Sequence, residues 1–563
     1  MTKRLLYLPL TLAVIAVVAA CSKLDELSAD YFTVTPQVLE AVGGQVPATI
    51  TGTFPEKYFA KKAVVKITPV LKWDGGEARA ESTTFQGESV EGNATTVPYK
   101  EGGTYTMKVS FDYQPEMMTS ELYLEFDATI GSKSADLPSI KIADGVIATS
   151  ELVEATVATA SNAESKDAFQ RIIAEKHEAE IMFLIQQANV RSSELSTAKD
   201  FEAKVKTIND TDRREITSIE ISAYASPDGA LDLNKGLAEN RQDNTAKVVN
   251  KNLKKDKIQA NVDTKYTAED WEGFQELVAA SNIADKELIL RVLSMYQDPE
   301  RREQEIKNIS SVYSTLADEI LPQLRRSRLT LNYNVIGKTD EEIAEAAAND
   351  PASLTLEELL YAATLTDDAA QKEAIYKKVT DLYPNDYRAY NNLGVLAYQA
   401  GDYDKANSYL KKAASIESAP EVNLNLGLVA LAQGDTDAAA TYLSKASGAD
   451  GLDEALGNLY IAQGEYAKAV TAFGDTKSNS AALAQILTED YNKAKATLEA
   501  VDPADGYTYY LKAVIGARTN NSSTVISNLK TAVAQDSSLK AQAAADLEFA
   551  AYADNAEFQA IVK

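Results

Sequence analysis

The sequence predicts a multidomain protein with three folded parts: an antiparallel β-sandwich, an α/β sandwich with one layer of helices, and an α-helical solenoid. Apolar side chains alternate with polar ones in residues 31–143, strand-like and helix-like segments alternate in residues 178–337, and a short Ala-rich pattern recurs in residues 338–563. At 563 residues the chain is too long for one hydrophobic core. A size of about 150 residues per domain suggests three or four domains.

The charge balance excludes one class of partner. The chain carries 56 Lys and Arg residues against 83 Asp and Glu residues, a formal net charge of −27. A protein that binds a phosphate backbone needs the opposite excess, because it neutralises phosphates with cationic side chains. Nucleic acid is therefore not an expected partner.

The first twenty residues have the pattern of an export signal. Lys3 and Arg4 supply a basic start, residues 5–18 are mostly apolar, and Ala19 and Ala20 are small. This stretch is too short to read as a membrane-spanning helix, and signals of this kind are normally removed. We therefore predict a signal peptide over residues 1–20.

Cys21 is the only cysteine in the chain and follows Val-Ala-Ala. This stretch resembles the lipobox of bacterial lipoproteins, in which the thiol takes a diacylglycerol and the freed amine takes a third acyl chain. The resemblance implies a membrane anchor at Cys21, with residues 21–30 as an acylated tether. The alternative is an ordinary secreted protein with a stray thiol. Two acyl chains already anchor a protein stably, so three would attach it permanently.

The residues after the cysteine bear on placement in the cell. Ser22 follows Cys21 in place of the aspartate that retains many lipoproteins in the inner membrane, so we expect the outer membrane. Asp25 and Glu26 resemble the surface-export signal of Bacteroidetes lipoproteins, and both the periplasmic face and the cell surface stay open. No later segment has about 18 unbroken apolar residues, so the lipid is expected to be the only anchor.

Residues 31–143 are predicted to form a β-sandwich. Alternating apolar runs are separated by Asp-Gly-Gly, Glu-Gly-Asn and Glu-Gly-Gly turns, and one such run is Val65, Ile67, Pro69, Leu71 and Trp73. We expect an immunoglobulin-like spacer domain. The following residues, 144–177, begin with a stretch rich in Ala, Ser and Thr, which predicts a linker or an extra strand.

Residues 178–337 combine strand-like and helix-like segments with one polar turn. A strand ends at Ser-Pro-Asp-Gly, a helix is predicted over residues 230–254, and Arg325-Arg326-Ser327-Arg328 leads the last strand. This order is typical of an α/β sandwich with one layer of helices. With these motifs it resembles the OmpA-like domain of Gram-negative envelopes, interrupted by a long excursion over residues 271–322.

The resemblance implies a peptidoglycan site at the Ser-Pro-Asp-Gly turn. In that family an aspartate in the turn and an arginine fifteen residues later hold the diaminopimelate of the stem peptide. Arg241 stands at the arginine position, Ser226 replaces the aspartate, and Asn234 matches the family pattern. Asp228 either supplies the missing carboxylate or caps the following helix. Arg241 either contacts the ligand or makes a surface salt bridge.

The C-terminal region, residues 338–563, contains three related pieces. They begin at Gly401 (GDYDKANSYLKKA), Gly434 (GDTDAAATYLSKA) and Gly464 (GEYAKAVTAF), and each follows an Asn-Leu-Gly or Gly-Asn-Leu run. This spacing resembles the tetratricopeptide repeat. A helical pair cannot bury its apolar face alone, so the flanking segments are expected to be degenerate or capping units of an α-solenoid.

Polar residues of the repeats form the candidate site for a protein partner. We expect them to be exposed on the concave face and to bind an extended segment: Asn391, Asn392, Tyr398, Asn423 and Asn425. The alternative is that these asparagines only bridge neighbouring helices.

Catalytic chemistry has few candidates in this sequence. His177 is the single histidine, the single cysteine is expected to be lipidated, and no Gly-rich phosphate loop is present. We therefore expect no catalytic residue, no metal site and no cofactor. The predicted function is a non-enzymatic outer-membrane lipoprotein that binds proteins through its repeats, and the alternative is a peptidoglycan tether acting through Arg241.

Overall fold

The computed structural model describes Leu24 and residues 26–563, without the side chains of residues 310–312. The predicted signal peptide and Cys21 therefore lie outside the described residues. The chain forms two compact units. One combines the residues up to Lys166 with Thr366–Lys563, and the other is Asp167–Leu365. The predicted repeat region started at residue 338, whereas the repeats belong to a unit that resumes at Thr366.

The N-terminal region is rich in β-structure, as predicted. Its strands are Phe32–Thr35, Val38–Glu40, Gln45–Phe54, Ala63–Trp73, Gly76–Arg79, Thr83–Gly87, Thr95–Val97, Gly103–Asp112, Glu121–Ile130, Lys133–Ala135 and Ile140–Ile147. The first, third and eighth strands form one sheet, and the other eight form a second sheet. Most neighbours are antiparallel, but two short pairs are parallel. Ile50 and Met107 of the small sheet share one core with Val65 and Leu122 of the large sheet.

Both ends of the predicted linker, residues 144–177, are strands: residues 144–147 complete the last strand of the sandwich, and residues 172–177 begin the first strand of the second unit. The part next to the sandwich is neither a free linker nor a strand. We call residues 149–166 the clasp. It begins with three short helical turns, Thr149–Leu152, Val153–Thr156 and Val157–Thr159, and it continues as extended chain from Ala160. Along residues 162–166, buried and more exposed side chains alternate as in a strand.

The second unit contains a four-stranded sheet with a helical layer. Its strands are Ile172–Met182, Arg214–Tyr224, Val262–Thr267 and Arg326–Ile336, and its two main helices are Leu195–Asn209 and Leu231–Asp256. The spatial strand order is first, fourth, second, third, with only the last pair parallel. Phe201 and Val249 of the two helices pack with Ile219 and Leu329 of the sheet in one core.

The long excursion is helical. Its elements are Trp271–Ala280, Lys286–Met295, Pro299–Asn308, Ser310–Thr315, Leu316–Ile320 and Leu321–Leu324. These elements form a separate hydrophobic core that includes Phe274, Ile289 and Leu316. Two further helices, Asp340–Asn349 and Leu356–Ala362, belong to this unit as well. The Arg171–Asp340 ion pair is one of the contacts that hold them there.

The repeat helices form successive antiparallel pairs. The first helices of the pairs are Tyr387–Gln399, Pro420–Ala432, Leu452–Ala462, Asn479–Leu487 and Gly506–Arg518. The second helices are Tyr403–Ile416, Thr436–Leu443, Tyr466–Phe473, Tyr491–Glu499 and Ser522–Gln535. Ala369–Leu382 precedes them, and Leu539–Ala545, Leu547–Tyr552 and Ala556–Val562 follow.

The recurring Gly-Asp motif makes the turn within each of the first two pairs. Gly401 and Gly434 have φ values of 75° and 74°, a left-handed conformation that favours glycine. Asp402 and Asp435 then cap the second helices by accepting backbone N–H bonds. The repeated dipeptide therefore ends one helix and begins the next.

A second small residue sets the distance within each pair. A Cβ atom on Gly427 would lie 2.5 Å from Leu443 Cδ2, so the two helices are in contact at that point. The same close approach recurs sixteen residues apart as Gly394–Leu410 and Gly457–Phe473. These contacts explain why Asn-Leu-Gly and Gly-Asn-Leu runs repeat in the first helices.

Candidate functional site

The first helices of the repeats bind the clasp of the same chain. We call the surface that they form against the clasp the groove. Ala163 of the clasp lies in one hydrophobic core with Tyr398 and Leu424 of the repeats. Its backbone is bound by two asparagines, Asn391 and Asn425, that are almost completely buried. The groove is thus occupied by an extended stretch of polypeptide.

Asn425 binds both main-chain groups of Ala163. Its side-chain oxygen accepts the Ala163 N–H at 3.0 Å, and its side-chain nitrogen donates to the Ala163 carbonyl at 2.7 Å. Asn391 donates to the same carbonyl at 2.9 Å. Asn425 also donates to the side-chain oxygen of Asn391 at 2.9 Å, which joins two successive repeats.

Asn392 repeats this arrangement two residues further along the clasp. It accepts the Ser165 N–H at 2.8 Å and donates to the Ser165 carbonyl at 3.0 Å. We call Asn391, Asn392 and Asn425 the asparagine ladder. A carboxamide carries one acceptor and one donor group, so it matches the N–H and C=O of an extended residue as a neighbouring strand would.

Further contacts fix the rest of the clasp. Tyr398 donates its hydroxyl to the Val157 carbonyl at 2.5 Å, and burial raises the pKa of this phenol well above its usual value. Ser480 donates to the Thr156 hydroxyl at 3.0 Å. Apolar clasp residues complete the cores of the repeats, namely Leu152, Val153, Val157, Ala160 and Ala163.

The candidate partner-binding residues therefore have a different environment from the predicted one. The expectation that they are exposed is wrong, because Asn391, Asn392, Tyr398, Asn423 and Asn425 are at most 3% exposed. Four of them bind the clasp. Asn423 instead donates to Ser418 and Ala419 at the start of its own helix. The ladder bridges neighbouring helices, as the alternative predicts, and it also holds an extended segment of the same chain. Binding of a partner's segment by these residues stays a prediction.

Sequence reasoning missed two carboxylates in the groove. Glu421 accepts the Ser165 hydroxyl at 3.0 Å, and Glu454 accepts the Ser161 N–H at 3.3 Å. Position within the repeat is a signal that points to the ladder: Asn392 and Asn425 each stand two residues before the glycine of the tight helix crossing. That shared position places their side chains on the same surface.

Arg241 in the second unit is a buried structural residue. It is 1% exposed, and it donates to the backbone carbonyls of Gln187, Tyr224 and Leu184 at 3.0, 2.8 and 3.3 Å. Its guanidinium also lies 5.2 Å from the ring centre of Phe183. Burial, followed by the nearby Arg325 charge, lowers the pKa of Arg241 to about 10. The predicted surface salt bridge is wrong, because this side chain is enclosed.

Asp228 pairs with an arginine and does not cap the helix. The capping position of Leu231–Asp256 is Ala230, which makes no side-chain cap bond, so the prediction of an Asp228 cap is wrong. Asp228 lies 3.5 Å from Arg325, which also donates to the Ser226 hydroxyl at 3.2 Å. Ser226 and Asp228 are thus held by the chain's own guanidinium.

The helical excursion closes over the Ser-Pro-Asp-Gly turn. Glu303 accepts the Gly229 N–H at 2.7 Å, and Trp271 and Phe274 line a small cavity that also contacts Asp228. On the other side, the 3%-exposed Asn234 donates to the Gly229 carbonyl at 3.4 Å. The four predicted peptidoglycan-binding residues, Ser226, Asp228, Asn234 and Arg241, therefore lie in one region and make contacts within the unit.

The described residues were searched for membrane-spanning helices and for clusters of metal ligands. Among them, no helix has the length and apolar character needed to cross a membrane. The same part of the chain holds no cluster of three or more His, Cys, Asp or Glu side chains suited to a metal ion. Cys21 lies outside it.

Three solved structures are similar to parts of this chain. A tetratricopeptide repeat protein from Parabacteroides merdae is 15% identical, with 35% of this chain and 85% of that chain covered and a TM-score of 0.29. PilW, a type IV pilus biogenesis factor, is 16% identical, with 40% and 89% covered and a TM-score of 0.23. Yeast Tom70 is 14% identical, with 66% and 78% covered and a TM-score of 0.25.

Family models match the repeats themselves. The tetratricopeptide repeat is matched at residues 375–406 and again at residues 407–454. No curated protein matches the chain. The matched residues include the first helix pair and both helices that carry the asparagine ladder. The C-terminal part of this chain therefore contains tetratricopeptide repeats, which typically mediate protein–protein interaction.

Proposed function

We propose that this protein is a non-enzymatic scaffold of the outer membrane, which binds partner proteins as extended segments through its tetratricopeptide repeats. One observation carries the proposal: the groove already holds an extended polypeptide, with the N–H and C=O of Ala163 and Ser165 matched to side-chain amides. Contacts of this kind recognise the main chain, as does a sheet edge that binds an extended peptide as an added strand.

The proposed attachment to the outer membrane rests on the sequence around Cys21. A triacylated cysteine would hold the protein on the membrane and leave the folded units in the aqueous phase on either the periplasmic face or the cell surface. Replacing Cys21 by serine should abolish labelling by radioactive palmitate and move the protein to the soluble fraction. Equal labelling of the serine variant would remove this part of the proposal.

The non-enzymatic assignment rests on the scarcity of reactive groups. The single histidine, His177, stacks on Phe201 at 6.1 Å between ring centres, which is a packing contact. Activated nucleophiles and general bases need a second titratable partner within hydrogen-bond reach. Most hydrogen bonds of the groove join its side chains to the backbone of the clasp, and such contacts suit binding rather than bond cleavage.

The alternative function, a peptidoglycan tether, has weaker support. A stem peptide would need a free guanidinium, whereas Arg241 donates to three backbone carbonyls and is enclosed. Arg325 is the nearest substitute, but it is engaged by Ser226 and Asp228. Co-sedimentation of the lipid-free protein with purified sacculi tests this alternative, and pelleting abolished by Arg325→Gln at unchanged stability would restore it.

Site-directed photo-cross-linking in intact cells tests the scaffold function. Asp450 is a suitable position because it is exposed beside the clasp, 3.4 Å from Lys166. A photo-reactive residue at Asp450 should give discrete, reproducible adducts with protein. The matched control is Asp74, an exposed residue in a turn of the sandwich. Equal adducts at the two positions, or none at Asp450, would argue against partner binding by the repeats.

A further inference from the structure

We infer that residues 160–166 of the clasp are an exchangeable ligand of the groove, which a partner displaces with an extended segment of the same chemistry. The inference rests on the proposed function. It adds which kind of segment the groove accepts and what keeps the groove closed until a partner arrives.

The clasp has an anchored half and a half held mainly through its backbone. The anchored half buries large apolar side chains in the cores of the unit, namely those of Leu152, Val153 and Val157. From Ala160 onward the chain is extended, and its most buried side chains are the small ones of Ala163 and Ser165. Little apolar surface must be exposed to release this second half, so it can leave while the first half stays in place.

The contacts of the second half define the chemistry of the accepted segment. The ladder binds the N–H and C=O of alternate residues, so a ligand must be extended and must lack proline at those two positions. The side chains there must be small, because Ala163 and Ser165 are each 5% exposed. A hydroxyl at the second position gains the bond to Glu421. The residue between them points outward and is unrestricted, as Glu164 is exposed.

Tethering explains how the groove stays closed. A segment joined to the protein competes at an effective concentration on the order of millimolar. With an intrinsic dissociation constant of about 10 μM the groove is closed roughly a hundred times more often than open, so a free segment of the same intrinsic affinity binds roughly a hundredfold more weakly while the clasp is in place. A substitution that removes the backbone N–H groups of Ala163 and Ser165 should stop the clasp from competing for the groove, and it changes no residue of the groove.

Fluorescence anisotropy with a labelled peptide tests the inference. The probe is a synthetic peptide of residues 157–168, and the protein is the lipid-free chain from Leu24 to Lys563. The released variant carries Ala163→Pro and Ser165→Pro, which delete both N–H donors of the clasp. We expect the released variant to bind the peptide at least tenfold more tightly than the wild-type chain. Equal affinities, or no binding to the released variant, would overturn the inference.

Two controls identify the site of binding. A peptide with proline at both ladder positions should bind neither protein, because it lacks the two N–H groups. Adding Asn392→Ala and Asn425→Ala to the released variant should remove binding of the normal peptide. Binding that survives in this fourfold variant would place the peptide outside the groove and would also overturn the inference.

Hydrogen exchange of the unmodified chain gives a second measurement if the released variant does not fold. The amides of Ala163 and Ser165 should exchange at least tenfold faster than those of Leu393 and Leu426 in the repeat helices, because the second half opens without unfolding the repeats. Equal protection would mean that the clasp opens only by global unfolding, and would refute the exchange. The peptide-binding and cross-linking experiments can fail independently. Protein adducts at Asp450 without peptide binding to the released variant would refute the exchange and leave the scaffold function in place.

Discussion

Replacing Asn425 by alanine should open the clasp selectively. The side chain makes three hydrogen bonds, and its loss leaves the Ala163 N–H and the Asn391 side-chain oxygen without their partners. Each buried group left unpaired costs about 1 to 3 kcal/mol, so we expect about 3 kcal/mol in total after local relaxation. That free energy corresponds to roughly a hundredfold higher population of the open clasp.

Limited proteolysis with trypsin measures this population. Lys166 has an exposed side chain, but the residues before it lie in the groove, so cleavage after Lys166 requires the second half of the clasp to open. The matched control is Asn423→Ala, which removes an equally buried asparagine whose contacts are confined to Ser418 and Ala419. Cleavage should accelerate about a hundredfold in Asn425→Ala and less than threefold in Asn423→Ala. Equal acceleration in the two variants would refute the role assigned to the ladder.

Three further predictions concern packing and charge. Burial raises the pKa of Asp546 to about 6, so the folded state binds this proton more tightly than the unfolded state does. The free energy of unfolding should therefore fall by up to about 3 kcal/mol as pH rises from about 4 to 6. Asp546→Asn should flatten this dependence in urea titrations at different pH values. Gly427→Ala places a Cβ atom 2.5 Å from Leu443 and should cost about 1 to 3 kcal/mol, with a smaller-than-additive loss when combined with Leu443→Ala. Arg241→Met removes the guanidinium from the carbonyls of Gln187, Tyr224 and Leu184, of which Leu184 still accepts the Gln187 N–H. We expect the unfolding free energy of the second unit to fall by about 3 kcal/mol in urea titrations, whether or not peptidoglycan is present; an unchanged unfolding free energy would contradict its structural role.

The repeats were predictable because their determinants are local. Gly427 and Leu443 stand sixteen residues apart, and the Gly-Asp turn between them carries its own conformational requirement and its own cap. A pattern of this kind is complete within one helical pair, so it can be read from a short stretch of sequence. The N-terminal strands were predictable for the same reason, since alternation needs no knowledge of the rest of the chain. The immunoglobulin-like and OmpA-like assignments remain predictions.

The occupant of the groove was not predictable because its contacts are distant. Ala163 and Asn425 are 262 residues apart, and nothing in an Ala-, Ser- and Thr-rich stretch specifies where it binds. Three of the four predicted asparagines bind an extended segment, and they are buried because that segment is part of the same chain. Their binding of a partner stays a prediction.

At the Ser-Pro-Asp-Gly turn, the residue spacing could be read from the sequence but the burial of the residues could not. The spacing between Ser226 and Arg241 is a property of the turn and helix, and it says nothing about what covers them. In the structure Arg241 donates hydrogen bonds to backbone carbonyls, and Glu303 of the helical excursion accepts the Gly229 N–H. The apolar residues of the excursion were the signal in the sequence that this turn is covered, because such residues must pack against another part of the unit.

The distance between the clasp and its asparagines also orders events during synthesis. At roughly 5 to 20 residues per second, Asn425 is made some 10 to 50 s after Ala163. Throughout that interval residues 160–166, Ala-Ser-Asn-Ala-Glu-Ser-Lys, have no groove to enter. A stretch of larger apolar residues would be prone to aggregate while it waited, whereas this one is small, polar and soluble. The small, polar composition that made the clasp resemble a linker thus also lets it stay unbound without aggregating until the repeats are made.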